Sequence, residues 1–408
     1  MNTQALSTRP PSVWERLVLR SLTNLQSGCL RVNVAGRSME YGAGQPRVQI
    51  SVLDERFFKR VCLGGSIGAG ESYMDGDWVC SDLVGLMRIM AANIQALDQI
   101  DSGTSWLRSL ANTVEHAFNR NSLTGSRRNI AQHYDLSNEF FSTFLDERMM
   151  YSSAFYTDDK MDLASASTAK LERLCQKLEL KPSDHLLEIG TGWGGLAIYA
   201  AKHFGAQVTT TTISAEQHAE ATRRVMDAGL EDRVTVLMKD YRQLESTYDK
   251  VVSVEMVEAV GHQYLDQYFS QCSKLLKPGG LFVLQAITIE DHRYESAAQS
   301  VDFIKKHIFP GGFLPSVSRM VRAVADNTRC VLVNLEDLGY DYALTTRAWR
   351  EKTLQQSDAI RQLGFDDRFI RMWEFYLAYC EGGFLERAIS NVQMVFAKQG
   401  YTGQPFRA

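Results

Sequence analysis

Cysteine is scarce and scattered: the seven residues are never closer than 18 positions, so neither a disulfide framework nor a Cys-x-x-Cys metal site is encoded. Reduced thiols and a cytoplasmic setting are the simplest reading. Glycine and proline together fill only 37 of 408 positions, which excludes a collagen-like or largely disordered protein. Long apolar runs are also missing, since no stretch of ~18 uncharged apolar residues occurs. The first residues, Met1 to Trp14, carry neither an apolar centre nor a small-residue cleavage site. Contact with a membrane is therefore expected from its surface only. Charge of one sign is absent as well: 44 Lys and Arg against 48 Asp and Glu give −4, without the positive field of a nucleic-acid binder.

What remains is a soluble, globular composition, 45% hydrophobic and 23% charged, at a length sufficient for two to three domains of ~150 residues each. An N-terminal part, residues 1–110, mixes short β-like runs (Cys29 to Val34, Val48 to Val52) with an amphipathic segment, Leu83 to Ile94. This predicts a small α+β domain. Residues 111–130 are polar and read as a linker, and 131–408 as the second domain. From His185 onward, short apolar strands alternate with amphipathic helices, the pattern of a doubly wound α/β sheet. The late runs Cys330 to Leu335 and Val392 to Ala397 fit a hairpin at its edge. The Gly64 to Gly70 run is expected to form a turn.

A strand leads directly into Gly190-Thr-Gly-Trp-Gly-Gly195 and then a helix. Glycines permit backbone angles and close approaches that side chains block, and the helix start offers oriented amides. The spacing is GxGxGG, one residue short of the dinucleotide pattern GxGxxG. Glu188 precedes the loop, where it suits a ligand ammonium group, and Asp240 with Tyr241 follow the third strand, offering an acid and a ring face for adenine. Together these features fit S-adenosylmethionine better than NAD.

With the flanking motifs, the sequence resembles the class I S-adenosylmethionine-dependent methyltransferases, and among them the cyclopropane-fatty-acyl-phospholipid synthase family. The segments are His133 to Phe141, Met150 to Ala154, Leu187 to Gly195, Thr212 to Gln217, Met256 to Gly261, Ile308 to Ser316 and Tyr379 to Phe384. The N-terminal part, with Gly68 to Trp78, is similar to the extra domain of the long bacterial enzymes. The resemblance implies a Rossmann-like sheet and methyl transfer from S-adenosylmethionine to the cis double bond of an acyl chain in a phospholipid. A proton is then lost from the new methyl as a ring closes, and the base is bicarbonate held by protein groups. It also implies a cytoplasmic protein working peripherally at the inner membrane surface, with no nucleic-acid partner. A homodimer would suit vesicle binding, although no residue pattern requires one.

By motif position, Tyr151, Ser152, Gly190, Gly192, Thr212, Gln217 and Tyr241 would contact the cofactor, beside the Glu188 and Asp240 already noted. Glu258 falls on the family glutamate of the bicarbonate cradle and Tyr342 on the family tyrosine, while Ser153 and Ile287 would lend backbone amides. Cys380 has no base beside it in sequence and reads mainly as packing near the active site. His133 suits a structural lid over the cofactor. Phe140, Phe141, Phe144, Phe303, Phe309 and Phe313 are candidates for an acyl tunnel, though each alone reads as ordinary core. Arg120, Arg127, Arg128, Lys305 and Lys306 are candidates for lipid phosphates. No metal site is expected.

Two positions depart from the family: Ser153 stands where many relatives have cysteine, and Gln285 where they have histidine. An amide does not change charge near neutral pH as imidazole does. Gln285 thus keeps open a rival reading, methylation at an acyl carbon that gives methyl-branched or furan-precursor lipids without a ring. A small-molecule N-methyltransferase and a non-catalytic lipid-binding protein are more distant rivals.

Overall fold

The computed structural model describes residues 10–94, 136–404 and 406. These residues form two compact units: one takes 10–94 together with 300–308 and 349–388, the other takes 136–299, 309–348, 389–404 and 406. The predicted linker and the segments bearing His133, Arg120, Arg127 and Arg128 lie outside the described residues.

The first unit is built on a four-stranded sheet of β1 (Gly28–Val34), β2 (Arg37–Ala43), β3 (Arg47–Val52) and β4 (Trp78–Cys80), in the order β2-β1-β3-β4. Alternating burial along β1 gives the sheet one core face. The helices Arg56–Met74, Leu83–Ala92 and Asp367–Leu385 pack together in this unit. The expected turn at Gly64 to Gly70 is instead helical, interrupted only by a kink where Gly65 adopts φ 54, ψ −131. Its glycines serve close packing: a Cβ on Gly70 would come within 2.4 Å of the Phe303 ring and 3.0 Å of Phe375. Lys306 pairs with Glu71 at 2.8 Å and Lys305 Nζ donates to the Ser300 carbonyl, so both lysines are engaged inside this unit.

The second unit carries a seven-stranded sheet of β5 (His185–Ile189), β6 (Gln207–Thr212), β7 (Val234–Met238), β8 (Tyr248–Val254), β9 (Leu276–Ile289), β10 (Cys330–Asp337) and β11 (Ile389–Lys398). The order is β10-β11-β9-β8-β5-β6-β7. Strands β5 to β9 run parallel, whereas β11 pairs antiparallel with both β9 and β10, which makes the expected hairpin at the edge. Successive residues feed opposite faces. Leu187, Ile189, Val251 and Leu284 join one apolar core, and Leu186, Val252, Val283 and Val395 join the other. Burial on both faces explains why these strands read as apolar runs without alternation.

Strand order reverses at β5, with β6 on one side and β8 on the other. Crevices that take ligands form outside the carboxyl ends of such strands. The segments that follow β5, β6, β8 and β9 all emerge at that edge.

Candidate active site

After β5, Gly190 (φ 101) and Gly192 (φ 51) hold left-handed angles, and the N–H groups of Gly190 and Thr191 donate to the Thr211 carbonyl of β6. The loop is thereby fixed before the helix Gly195–Phe204 begins. Among the described residues, a Cβ on Gly192 would meet nothing within 4 Å, which suits a backbone cradle for a ligand. At the end of β6, Thr212 Oγ1 donates to Gln217 Oε1 at 2.9 Å, which keeps the Gln217 NH2 group for another partner.

Glu188 is buried at the end of β5 and accepts from Thr210 Oγ1 at 2.6 Å. Burial pushes its pKa up to about 8, against the pull of Lys170. Lys170, on the helix Leu163–Lys177, is itself fully buried and donates to Ser152 Oγ at 2.8 Å. Its pKa falls to about 8 through burial, opposed by Glu255, Asp146 and Glu188. The Asp240 carboxylate takes the Arg242 backbone N–H and two guanidinium bonds of 2.9 and 2.7 Å. Tyr241 packs edge-on to Tyr268 in the apolar core, and Tyr151 packs against Phe141, Phe144 and Phe309.

The chemical centre lies beyond β8. The backbone leaves Val254 and places Glu255 at φ 49, an angle that favours glycine. Its N–H donates to the Gln285 carbonyl at 2.8 Å, and four donors meet its carboxylate. Oε1 accepts the Ser153 N–H at 2.9 Å, Gln285 Nε2 at 2.8 Å and Asn391 Nδ2 at 2.8 Å. Oε2 accepts Tyr342 Oη at 2.7 Å. Gln285 is held in register, because Gln393 on β11 donates to its Oε1 at 2.9 Å and two acceptors, Glu255 and the Ser153 carbonyl, face its NH2 group. Any other amide orientation would set oxygen against oxygen.

Three residues on, Glu258 Oε1 accepts the Ile287 N–H at 2.6 Å, while its buried Oε2 meets no hydrogen-bond partner among the described residues. Both glutamates keep a little accessible surface, yet protein crowds their carboxyl groups. Burial raises both pKa values: Glu255 is drawn back by Tyr342, Gln285, Ser153 and Lys170, whereas Glu258 reaches about 8 with Glu255 adding repulsion.

The cluster thus gathers Ser153, Glu258, Gln285, Ile287 and Tyr342 from four separate stretches of sequence. The Ser153 and Ile287 backbone N–H groups donate to Glu255 and Glu258, and the Ser153 hydroxyl turns to the Ala154 carbonyl. Cys380 belongs to the first unit, on the helix Asp367–Leu385, with its thiol pKa raised by burial. Of the aromatic candidates, Phe140 packs edge-on against Phe141 and Phe144, which are tilted to each other, Phe313 sits in a core of the second unit, and Phe303 contacts Phe375 in the first. Sequence reasoning missed Glu255, Asn391, Gln393 and Lys170. The available signal was polarity inside buried runs: Gln285, Asn391 and Gln393 interrupt strands otherwise committed to apolar cores.

The parallel sheet with its antiparallel edge, the glycine loop after β5 and the polar cluster after β8 and β9 define a class I S-adenosylmethionine-dependent methyltransferase fold. Residues 121–394 match the family described as mycolic acid cyclopropane synthetase, and the protein belongs to that family of enzymes. It is 38% identical over 404 residues to a tuberculostearic acid methyltransferase of Mycobacterium tuberculosis, covering 97% of this sequence and 93% of the relative. It is also 38% identical over 357 residues to the cyclopropane-fatty-acyl-phospholipid synthase of Escherichia coli, covering 87% of this sequence and 89% of the relative. A mycolic acid cyclopropane synthase solved in complex with SAH and CTAB superposes with a TM-score of 0.62 at 28% identity, over 67% of this protein and 98% of that one.

Proposed function

We propose that the protein transfers a methyl group from S-adenosylmethionine to the cis double bond of an unsaturated phospholipid and closes it to a cyclopropane. The observation that carries this reading is the carboxylate cluster of Glu255 and Glu258 at the carboxyl ends of the strands, beside the open glycine cradle after β5. Gly192 supports cofactor binding through the open space at its missing Cβ, and Thr212 with Gln217 would meet the ribose. Glu188 would take the ammonium group, which favours its ionised form. When bound, the sulfonium supplies the methyl group. Asp240 supports this site by fixing the turn that carries Tyr241, since its carboxylate is already engaged by Arg242.

The fit for bicarbonate is poor. Ser153, Gln285 and Tyr342, three of the groups expected to hold it, already converge on the side chain of Glu255. No step is therefore routed through that ion.

No helix among the described residues is long and apolar enough to cross a membrane, so the substrate would be met at the bilayer surface. To test the reading, the purified protein is incubated with dioleoyl phosphatidylglycerol vesicles and methyl-labelled cofactor, and the fatty acids are analysed by mass and proton NMR. The expected result is a gain of one carbon with cyclopropyl protons. Retention of every double bond with no added carbon would defeat the proposal. The similarity to a tuberculostearic acid methyltransferase, together with Gln285, favours one second reading, methyl transfer without ring closure. A labelled product lacking the cyclopropyl signals would select it.

A further inference from the structure

We infer that Glu255 is a built-in carboxylate that fills the bicarbonate cradle and serves as the base of the reaction, making the enzyme independent of bicarbonate. The inference rests on the methylenation reading above.

Three observations carry it. The donors stop at Glu255: a backbone N–H, two side-chain amides and a phenol supply four hydrogen bonds to one carboxylate, so a second anion would find these groups spent. The bonds are uneven, three on Oε1 and one on Oε2, which leaves Oε2 the oxygen with a lone pair to spare. The backbone at Glu255 is held at φ 49, where glycine would be easier, and strain of this kind persists where the surroundings fix a side chain for a task. The groups acting on it are the Tyr342 hydroxyl, the Gln285 amide, the Ser153 N–H and Lys170, all of which favour its charge against the pull of burial. Burial keeps the carboxyl a better proton acceptor than an exposed one, in keeping with the duty of a general base.

The step balances with the protein's own groups. The π pair of the substrate double bond forms the new bond to the methyl carbon, and the pair of the sulfur–methyl bond stays on sulfur. The second alkene carbon is left cationic. One C–H of the added methyl then gives its proton to Glu255 Oε2, while the electron pair of that bond closes the ring. The proton passes to water once the product leaves, which restores the carboxylate.

The experiment compares wild type, Glu255→Gly and Glu255→Gln in carbonate-free buffer under argon and in the same buffer with added bicarbonate. Wild type is expected to run at the same rate in both. Glu255→Gly, which relieves the backbone and opens the cradle, should lose at least ~100-fold without bicarbonate, the contribution typical of a general base, and recover in part when it is added. Glu255→Gln keeps the cradle filled with a neutral group and should be equally slow and not rescued. Two readouts stand apart from turnover: calorimetric binding of S-adenosylmethionine should stay within a few-fold in both variants, and bicarbonate should raise the melting temperature of Glu255→Gly alone. Wild type that needs bicarbonate, or a Glu255→Gln protein of normal rate, would overturn the inference while leaving the methylenation reading intact. Wild type that adds no carbon in either buffer would overturn both.

Discussion

Gln393 on β11 lies directly opposite Gln285 on β9 and donates its side-chain amide to Gln285 Oε1 at 2.9 Å, with both residues fully buried. The bond supports the orientation that the Glu255 carboxylate and the Ser153 carbonyl impose on the Gln285 NH2 group. It turns a neutral amide into a fixed donor beside a carboxylate and transmits the position of an edge hairpin to the centre of the site. Gln393 is accordingly a positioning residue.

Replacement Gln393→Leu leaves Gln285 Oε1 buried without a donor, which costs about 1–3 kcal/mol. Thermal unfolding should show a loss of that size. Turnover should fall with little change in S-adenosylmethionine affinity, because the glycine loop stands on β5 and β6 at a distance of several strands. Gln393→Asn, shorter by one methylene, should recover neither property, and equal turnover in Gln393→Leu and wild type would refute the positioning role.

Tyr342→Phe removes the single hydrogen bond to Glu255 Oε2. That bond favours the ionised carboxylate, so its loss raises a pKa already lifted by burial. If ionised Glu255 accepts the proton, turnover rises with pH through its pKa. The acid limb of kcat should therefore move to higher pH in the variant, by about one unit for a charge-assisted bond of roughly 1.5 kcal/mol. A limb that stays in place would separate Tyr342 from the base.

Much of this site is legible in the sequence, and the exceptions share a physical cause. Gly190 and Gly192 sit in the turn after β5, where strand, glycines and helix follow one another in sequence, while Thr212 at the end of β6 and Gln217 beyond it follow from motif position. Ser153, Ile287 and Tyr342 follow from family motifs. Glu255 and Glu258 both occur in one short segment, Val251 to Glu258, and the motif points to Glu258. Only the backbone turn at φ 49 reveals that Glu255 is the carboxylate that swings into the donors. Asn391 and Gln393 come from a strand that reads purely as an edge, since sequence does not fix strand order. The helical character of Gly64 to Gly70 is hidden because glycine weakens helix propensity locally, whereas packing against Phe303 and Phe375 favours it.

Gly192→Ala separates cofactor binding from folding. At φ 51 an alanine is strained, and the cost to stability should be about 1–2 kcal/mol. Among the described residues no atom lies within 4 Å of the new methyl, and the variant tests whether it projects into the space proposed for the ligand. Calorimetry should accordingly show S-adenosylmethionine affinity reduced by about 10-fold or more while the fold persists. Unchanged affinity would place the cofactor elsewhere.

Stability itself should vary with pH in a direction set by the buried acids. Glu188 and Glu258 have pKa values of about 8 in the folded protein against an ordinary 4.5. Between those limits the folded state binds more protons than the unfolded state, so these groups make the unfolding free energy fall as pH rises. Lys170 and Lys177, lowered to about 8 from 10.5, act oppositely above pH 8, where the unfolded state holds the extra protons. Glu258→Gln removes one acid while its amide oxygen still accepts from the Ile287 N–H. Urea midpoints measured at pH 5.5, 6.5 and 7.5 should decline less steeply in Glu258→Gln than in wild type, with the variant gaining relative stability as the pH rises. Parallel declines would mean that Glu258 is ionised in the folded protein well below pH 8.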